Sequence, residues 1–560
     1  MPAVSRLPAA SSPALRRRLW LGLVLVLVMD TAVLLSLIHH ILAFQHFPFD
    51  SDEANHALPA LQMALALDAG NLGEFFQRLT AQNFYPPGVT WLKAVVFWLW
   101  GGTAVTARLF SAVCLFLAMP VLYAICLEID ERYGWLSGLI AASLTATMTS
   151  LLVNGTLVML ETPGLLVSLL ALWSYVRAGK RPSSGRLLLT SFCLILTVLT
   201  KYTYGAVTVT AVVLNELVQV VGNVRHGSRS LPWRRWAALF APLAVVLLFW
   251  LARPGSLSGA LDYAQPLSDG NAWLSWRGFA YYPLSLARFE TPAPLFALVN
   301  LAGLVWALVN WRKPGIQLLL GYFLVGMALI MFINHPFNPR FIATFVPALH
   351  VVTAVMLTNL LLPLRHRWRQ AVPLLLGGLL LLAGWQSVQT LAQGFALFGS
   401  RLEVEYETQP VLNELAAWLE EEISPNGRFL LINPWDQFSA EALSWRLAAA
   451  HQISWIVPSV VLPPVTAESV TQFRQQLQQS EAQYVVVLEG SPWGAAAWPD
   501  YTAVLEDGFD EKSRHAFTVP FYELDDWLNN HQPTVSEWES VKANGRRDLH
   551  IQAIVYEKEN

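Results

Sequence analysis

The chain has 560 residues, of which 54% are hydrophobic and 13% charged, about half the charged share of a soluble protein, so much of its apolar surface must face lipid. A net charge of −3 gives no reason to expect a nucleic-acid partner. The cysteines, Cys114, Cys126 and Cys193, all lie in apolar segments with no CxxC or Cys/His spacing, which argues against a disulfide framework or a zinc site.

The first apolar run, Leu19 to Phe44, follows Arg16–Arg18. It exceeds the apolar core of a signal peptide, about 7–15 residues, and reads as a retained first span. Runs near the span length of about 20 residues then predict membrane helices near 104–127, 134–152, 157–176, 187–201, 203–221, 236–252, 292–310, 315–333, 341–363 and 371–391. The segment 87–100 is too short to cross and contains Lys93; it reads as a helix at the membrane surface. The basic clusters Arg16–Arg18, Arg177/Lys180/Arg181/Arg186, Arg225/Arg229/Arg234/Arg235, Arg312/Lys313 and Arg365/Arg367/Arg369 all fall inside if the N-terminus is cytoplasmic and there are about eleven spans, as the positive-inside rule requires. Treating 187–221 as one helix would put three of these clusters outside, so two spans meeting at Lys201 is the better reading. Segments 44–86, 253–291 and Asn334–Arg340, and everything after about 392, then lie outside.

Beyond residue 400 the composition becomes that of a soluble domain. Helical periodicity over 409–422, Ala440–Ala450 and Thr466–Gln479 alternates with apolar strands at Phe429–Asn433, Tyr484–Leu488 and Ile551–Tyr556, and Thr466 is a candidate N-cap. The expected fold class is therefore an α-helical polytopic membrane protein over 1–392, with an outer loop and interfacial helices at 44–100, followed by a C-terminal extracytoplasmic α/β domain over 393–560. No paired acids or glycine loop connect the C-terminal domain to a reaction, and shaping an acceptor's approach or a purely structural role are its expected functions.

The outer loop after the first span carries Asp50, Asp52, Glu53 and His56. A carboxylate here can serve as a general base on an acceptor hydroxyl, with His56 as a contact to acceptor or sugar; alternatively Asp52 caps the helix that follows. Tyr85 precedes a rigid Pro86-Pro87 turn and can face a ligand. Glu161, before Pro163, is either a helix-start acid or part of the site. Arg108, Lys201 and Arg340 depart from the positive-inside pattern. They either snorkel to the outer interface or converge on an anion such as phosphate. Asn154-Gly155-Thr156 matches a glycosylation sequon but lies close to the membrane.

In order and placement these residues match a known pattern: Asp52-Glu53, then YPPG from Tyr85, then Arg108, Glu161-Thr162-Pro163, Lys201, and Arg340 with Pro347. Over residues 15–365 the chain resembles the GT-C superfamily of integral membrane glycosyltransferases, in particular bacterial relatives of protein O-mannosyltransferases and of lipid A aminoarabinose transferases (glycosyltransferase family 39-like). It departs from them in Glu161, where Asp is common, and in Tyr85, where some relatives have Lys. The resemblance implies a polyprenyl-phosphate-linked sugar as donor, a membrane lipid environment in a bacterial cytoplasmic membrane, and inversion at the anomeric carbon. Asp52 would be the base, Glu53 and Glu161 would orient it, and Lys201, Arg340 and Arg108 would stabilise the leaving phosphate, with Tyr85 also at the donor phosphate. No cofactor is required by the sequence; a divalent metal, used by some relatives, is left open without support from it. The competing classes are a transporter or flippase of a lipid-linked anion, which calls for charges deep in spans or broken helices in matched halves, and a non-catalytic scaffold.

Overall fold

The computed structural model describes residues 13–43, 49, 51–81, 85–225, 232–253, 255, 276–290, 294–333, 339–364, 410–424, 427–434, 439–450, 457–460, 462, 466–491, 498–505, 508–522 and 546–558, with isolated positions at 377–378, 381–382, 385 and 540. The chain runs through α1 (Pro13–Ala43), α2 (Ser51–Asp68), α3 (Leu72–Leu79), α4 (Gly88–Trp100), α5 (Ala104–Ile129), α6 (Gly134–Ala146), α7 (Thr149–Gly155), α8 (Glu161–Lys180), α9 (Ser184–Thr200), α10 (Tyr202–Arg225) and α11 (Trp233–Leu251). It continues with α12 (Trp276–Phe289), α13 (Pro294–Val309), α14 (Pro314–Ile333), a 3-10 turn at Pro339–Ile342 and α15 (Val346–Leu364).

Among the described residues, α1, α5, α10, α11 and α15 are long and apolar enough to cross a membrane, and α6 with α7 makes a sixth, bent by 69°. This is an integral membrane protein. Several boundaries move from the sequence expectation. The span expected at 134–152 is broken: the helix ends at Thr147, whose hydroxyl turns back to the Leu144 carbonyl at 2.7 Å, and Met148 is extended with ψ 117°. The next helix starts at Glu161 rather than 157. The run from 341 opens with the 3-10 turn, and its helix starts at Val346. The span expected at 371–391 falls almost wholly outside the described residues. The two-helix reading of 187–221 holds: α9 and α10 are separated by Lys201, extended at φ −158° and ψ 134°.

A dry core of small and apolar side chains from α1, α5, α6, α8–α10 and α13–α15 holds the bundle together. Large apolar residues face outward on α1 (Trp20, Val28, Leu35), α11 (Val245, Leu248, Phe249) and α13 (Leu298, Leu301, Val309), the surface that lipid would wet. On α4, Leu92, Val95, Trp98, Leu99 and Trp100 are also exposed, as are Leu72 and Phe76 on α3.

Gly88 lets α4 start against the end of α9. A Cβ there would lie 2.7 Å from the Leu199 carbonyl oxygen, which is backbone and cannot move aside. Gly88→Val is expected to cost about 1–3 kcal/mol, seen as a lowered melting temperature, and to reduce activity because α4 is pushed away from the Lys201 junction. An unchanged melting temperature would show that this contact is dispensable.

The C-terminal region contains a helix over 410–422 (α16), β1 (Phe429–Ile432), α17 (Ala440–Ala449), β2 (Ser459–Val460), α18 (Ala467–Gln479), β3 (Tyr484–Glu489), α19 (Trp498–Leu505), β4 (Phe509–Tyr522) and β5 (Arg546–Lys558). The strands form one mixed sheet, ordered β2-β1-β3-β5-β4, parallel from β2 to β3 and antiparallel from β3 to β4. Thr466 caps α18 in a reciprocal box with Ser469. Alternation along β3 splits its side chains between two cores. Val485 and Val487 join Phe473 and Tyr501 of the helices on one face. Tyr484, Val486 and Leu488 join a core that includes α16, α17, α2 and α4. Trp445 of α17 is the centre of that junction, with ring centroids 4.6 Å from Phe49 and 6.1 Å from Phe97. The two halves of the chain thus share a core through α2.

Candidate active site

Helix α2 begins at Ser51, placing Asp52 and Glu53 in its first turn, where the positive end of the helix dipole favours carboxylates. Asp52 is therefore inside the helix rather than capping it. Its carboxylate accepts a hydrogen bond from Arg340 Nη2 at 2.9 Å, and the pair is partly open, with side chains 39% and 26% exposed. Arg340 also stacks over the Phe341 ring at 5.2 Å and reaches Met159 Sδ at 3.8 Å.

Glu53 points the other way. It takes a fork-to-fork pair from Arg108, Nε to Oε1 at 3.0 Å and Nη2 to Oε2 at 2.8 Å, and a third bond from the Val158 amide at 2.9 Å. Both side chains are almost wholly buried, and the guanidinium lies 5.2 Å over the Phe49 ring. Bidentate geometry with extra hydrogen bonds is what lets a buried ion pair persist. Arg108 and Glu53, expected as a phosphate ligand and an orienting acid, are in fact bound to each other and tie α2 to α5.

Glu161 and Lys201 form the third pair. The ammonium is 3.5 Å from Oε1, a loose contact, and both groups are buried. Lys201 is held at the α9–α10 break between the rings of Tyr204, at 5.2 Å, and Phe341, at 5.4 Å. Phe341 thus bridges Lys201 and Arg340.

His56, one turn beyond Asp52, meets the Tyr85 ring edge-on at 4.7 Å. Burial, reinforced by Lys93, Lys201 and Arg340, holds the His56 imidazole well below its ordinary pKa, so it is neutral at physiological pH. Lys93 is the residue whose place sequence reasoning missed. It is fully buried, and its ammonium donates to the His56 carbonyl at 3.1 Å. The available signal was a lone lysine in an otherwise apolar helix. Asp50 lies outside the described residues. The sequon is closed: Asn154 is buried and donates to the Ser150 carbonyl at 2.6 Å. Among the described residues no three His, Cys, Asp or Glu side chains are placed to hold a metal ion.

The site gathers one end of several helices. Helices α1, α8 and α9 each have Arg or Lys at the opposite end, at Arg16–Arg18, Arg177/Lys180 and Arg186.

The family model described as dolichyl-phosphate-mannose-protein mannosyltransferase matches residues 74–258. The crystal structure of ArnT from Cupriavidus metallidurans bound to undecaprenyl phosphate superposes with a TM-score of 0.57 at 15% identity, over 94% of this chain and 97% of that one. The chain has the GT-C fold, that of a superfamily of membrane glycosyltransferases. The same ArnT in the apo state gives a TM-score of 0.54. The arabinofuranosyltransferase AftD from Mycobacteria gives 0.53 at 17% identity over 95% of this chain, which spans 40% of AftD. No match is found among curated protein sequences. In this chain the matched segment 74–258 contains Tyr85, Lys93, Arg108, Glu161 and Lys201, whereas Asp52 and Arg340 lie on either side of it.

Proposed function

We propose that this GT-C protein transfers a sugar from a polyprenyl-phosphate donor to an acceptor on the extracytoplasmic side of the membrane, with inversion at the anomeric carbon. The observation that carries the reading is the partly open Asp52–Arg340 pair beside Lys201, a base and two cations at one end of the bundle. The undecaprenyl phosphate bound by ArnT is the model for the donor's lipid. The basic ends of α1, α8 and α9, opposite the site, support its outward orientation.

In this mechanism the donor phosphate takes Arg340 from Asp52, and Lys201 moves from Glu161 towards the same anion. Asp52 is thereby released. The acceptor hydroxyl oxygen attacks the anomeric carbon and its proton passes to Asp52. The bond from that carbon to the phosphate oxygen breaks, and its electron pair leaves with the polyprenyl phosphate. Lys201 and Arg340 stabilise the charge that grows there in a site shielded from water. Glu53 and Arg108 hold α2 in place and take no part in the bond changes. The C-terminal domain, which we place outside the membrane, packs on α2 and carries no chemistry of its own.

Transfer of label from a synthetic undecaprenyl-phosphate sugar in membranes holding the full chain tests the activity. Comparing the glycans and glycolipids of a deletion strain with its parent identifies sugar and acceptor. An unchanged profile in that strain would count against transfer. Lys201→Ala is expected to weaken binding of undecaprenyl phosphate about 10–100-fold, the worth of one charge-assisted hydrogen bond, and to lower turnover as well. Because Glu161 would be left buried without its cation, the double variant Lys201→Ala/Glu161→Gln serves as the control for folding. Wild-type binding in both variants would remove Lys201 from the phosphate site.

A further inference from the structure

The described carboxylates of the site and their partners cancel. Asp52 is matched by Arg340, Glu53 by Arg108 and Glu161 by Lys201. A site balanced in this way has little electrostatic preference for an anion over a neutral ligand. Among the described residues Lys93 is the cation left over. It sits on α4 directly behind His56, fully buried, and uses one of its three N–H groups on the His56 carbonyl. The Phe110 ring lies 5.9 Å from its ammonium, and Cys114, Glu53 and Glu161 interact with its charge. Buried lysines are rare unless paired, and Glu53 and Glu161 are each already engaged with another cation.

We infer that Lys93 supplies the unmatched positive charge that makes the resting site select an anion, acting through space from behind α2 rather than by touching the phosphate. This rests on the donor reading proposed above. The field of a charge in a protein interior is screened far less than in water. Lys93 is thus a positioning charge for the donor, not a catalytic residue. It has a second, mechanical task. Pro59 lies inside α2 and has no N–H for the Asn55 carbonyl, and the Lys93 ammonium docks on the neighbouring carbonyl of that weakened turn.

The two roles separate by substitution. Lys93→Gln keeps a hydrogen-bond donor for the His56 carbonyl and loses the charge; Lys93→Met keeps only the stem. Burial pushes the Lys93 amine down to about 7, against the pull of Cys114, Glu53 and Glu161 in the other direction. It is charged below that pH and neutral above it, so its contribution to anion selection fades as pH rises.

The experiment is equilibrium binding of undecaprenyl phosphate and of undecaprenol to the full chain in lipid nanodiscs, between pH 6 and 9. The wild type should prefer the phosphate. Lys93→Gln should lose about tenfold of that preference, with its melting temperature kept. The ratio of wild-type to Lys93→Gln preference should fall through about pH 7; ionisation of the phosphate itself cancels in that ratio. Lys93→Gln with the wild-type preference, or Lys93→Met losing stability and preference while Lys93→Gln restores both, would overturn the proposal and leave Lys93 as a tie for α2. If the wild type does not distinguish phosphate from alcohol, the donor reading fails and the Lys93 role falls with it.

Discussion

Asp52→Asn is expected to move binding and turnover in opposite directions. The amide keeps the size of the side chain and an oxygen for Arg340, but it cannot accept the acceptor's proton. Turnover with a polyprenyl-phosphate sugar should fall by about 10²–10⁴-fold, the usual contribution of a positioned base. Affinity for undecaprenyl phosphate should instead rise, because Arg340 no longer has a carboxylate to give up. A partly exposed ion pair is worth about 0.2–1 kcal/mol, so the gain should reach about fivefold at most. The gain should vanish in an Arg340→Met background, where nothing is left to compete for. Full turnover in Asp52→Asn would remove the base assignment. Weaker binding would show that the carboxylate helps the phosphate rather than competing with it.

The second large effect concerns the junction at Trp445. Its indole is buried between Phe49 and Phe97, and the same core includes Ala54, Ala57, Leu58 and Leu61 of α2. Trp445→Ala should cost about 3–5 kcal/mol and, because α2 carries Asp52, should depress turnover together with the melting temperature. Trp445→Phe should recover most of both. Removal of everything after residue 400 should go further and abolish undecaprenyl phosphate binding along with transfer. From the sequence alone that region was expected only to shape an acceptor's approach or to serve a structural role, and the first of these would leave the donor site intact on truncation. Retained lipid-phosphate affinity in the truncated chain would restore that first role.

What could be read in advance followed from local pattern. A lysine between two apolar runs gave away the α9–α10 break, and Asp52-Glu53 just past a span stood out as candidate site residues. That these two acids pair with different cations was not legible, because the partners lie 288 and 55 residues away, Arg340 and Arg108. Lys93 was visible only as a reason to lay its helix on the membrane surface; its burial is created by α2 folding over it. The bend at Thr147–Met148 contains neither proline nor glycine, so no residue announces it. In the C-terminal region β1, β3 and β5 stood out as apolar runs. The edge strand β4 did not, since Asp510-Glu511-Lys512-Ser513-Arg514 is a polar stretch of the kind edge strands carry against further pairing.

Helix α4 is two-sided in a way that reaches beyond the protein. Its tryptophans and leucines look out while Lys93 looks in, so a helix lying at the membrane surface, as its length and composition suggest, would set the floor of the proposed site on the bilayer's headgroup layer. Whatever moves that layer, such as acyl-chain length, lateral pressure or replacement of lipid by surfactant, would then tilt the helix that carries Lys93 and follows the Pro86-Pro87 turn. On that reading the surrounding lipid would be a component of the reaction vessel, and rates compared between micelles and bilayers would compare two differently shaped vessels.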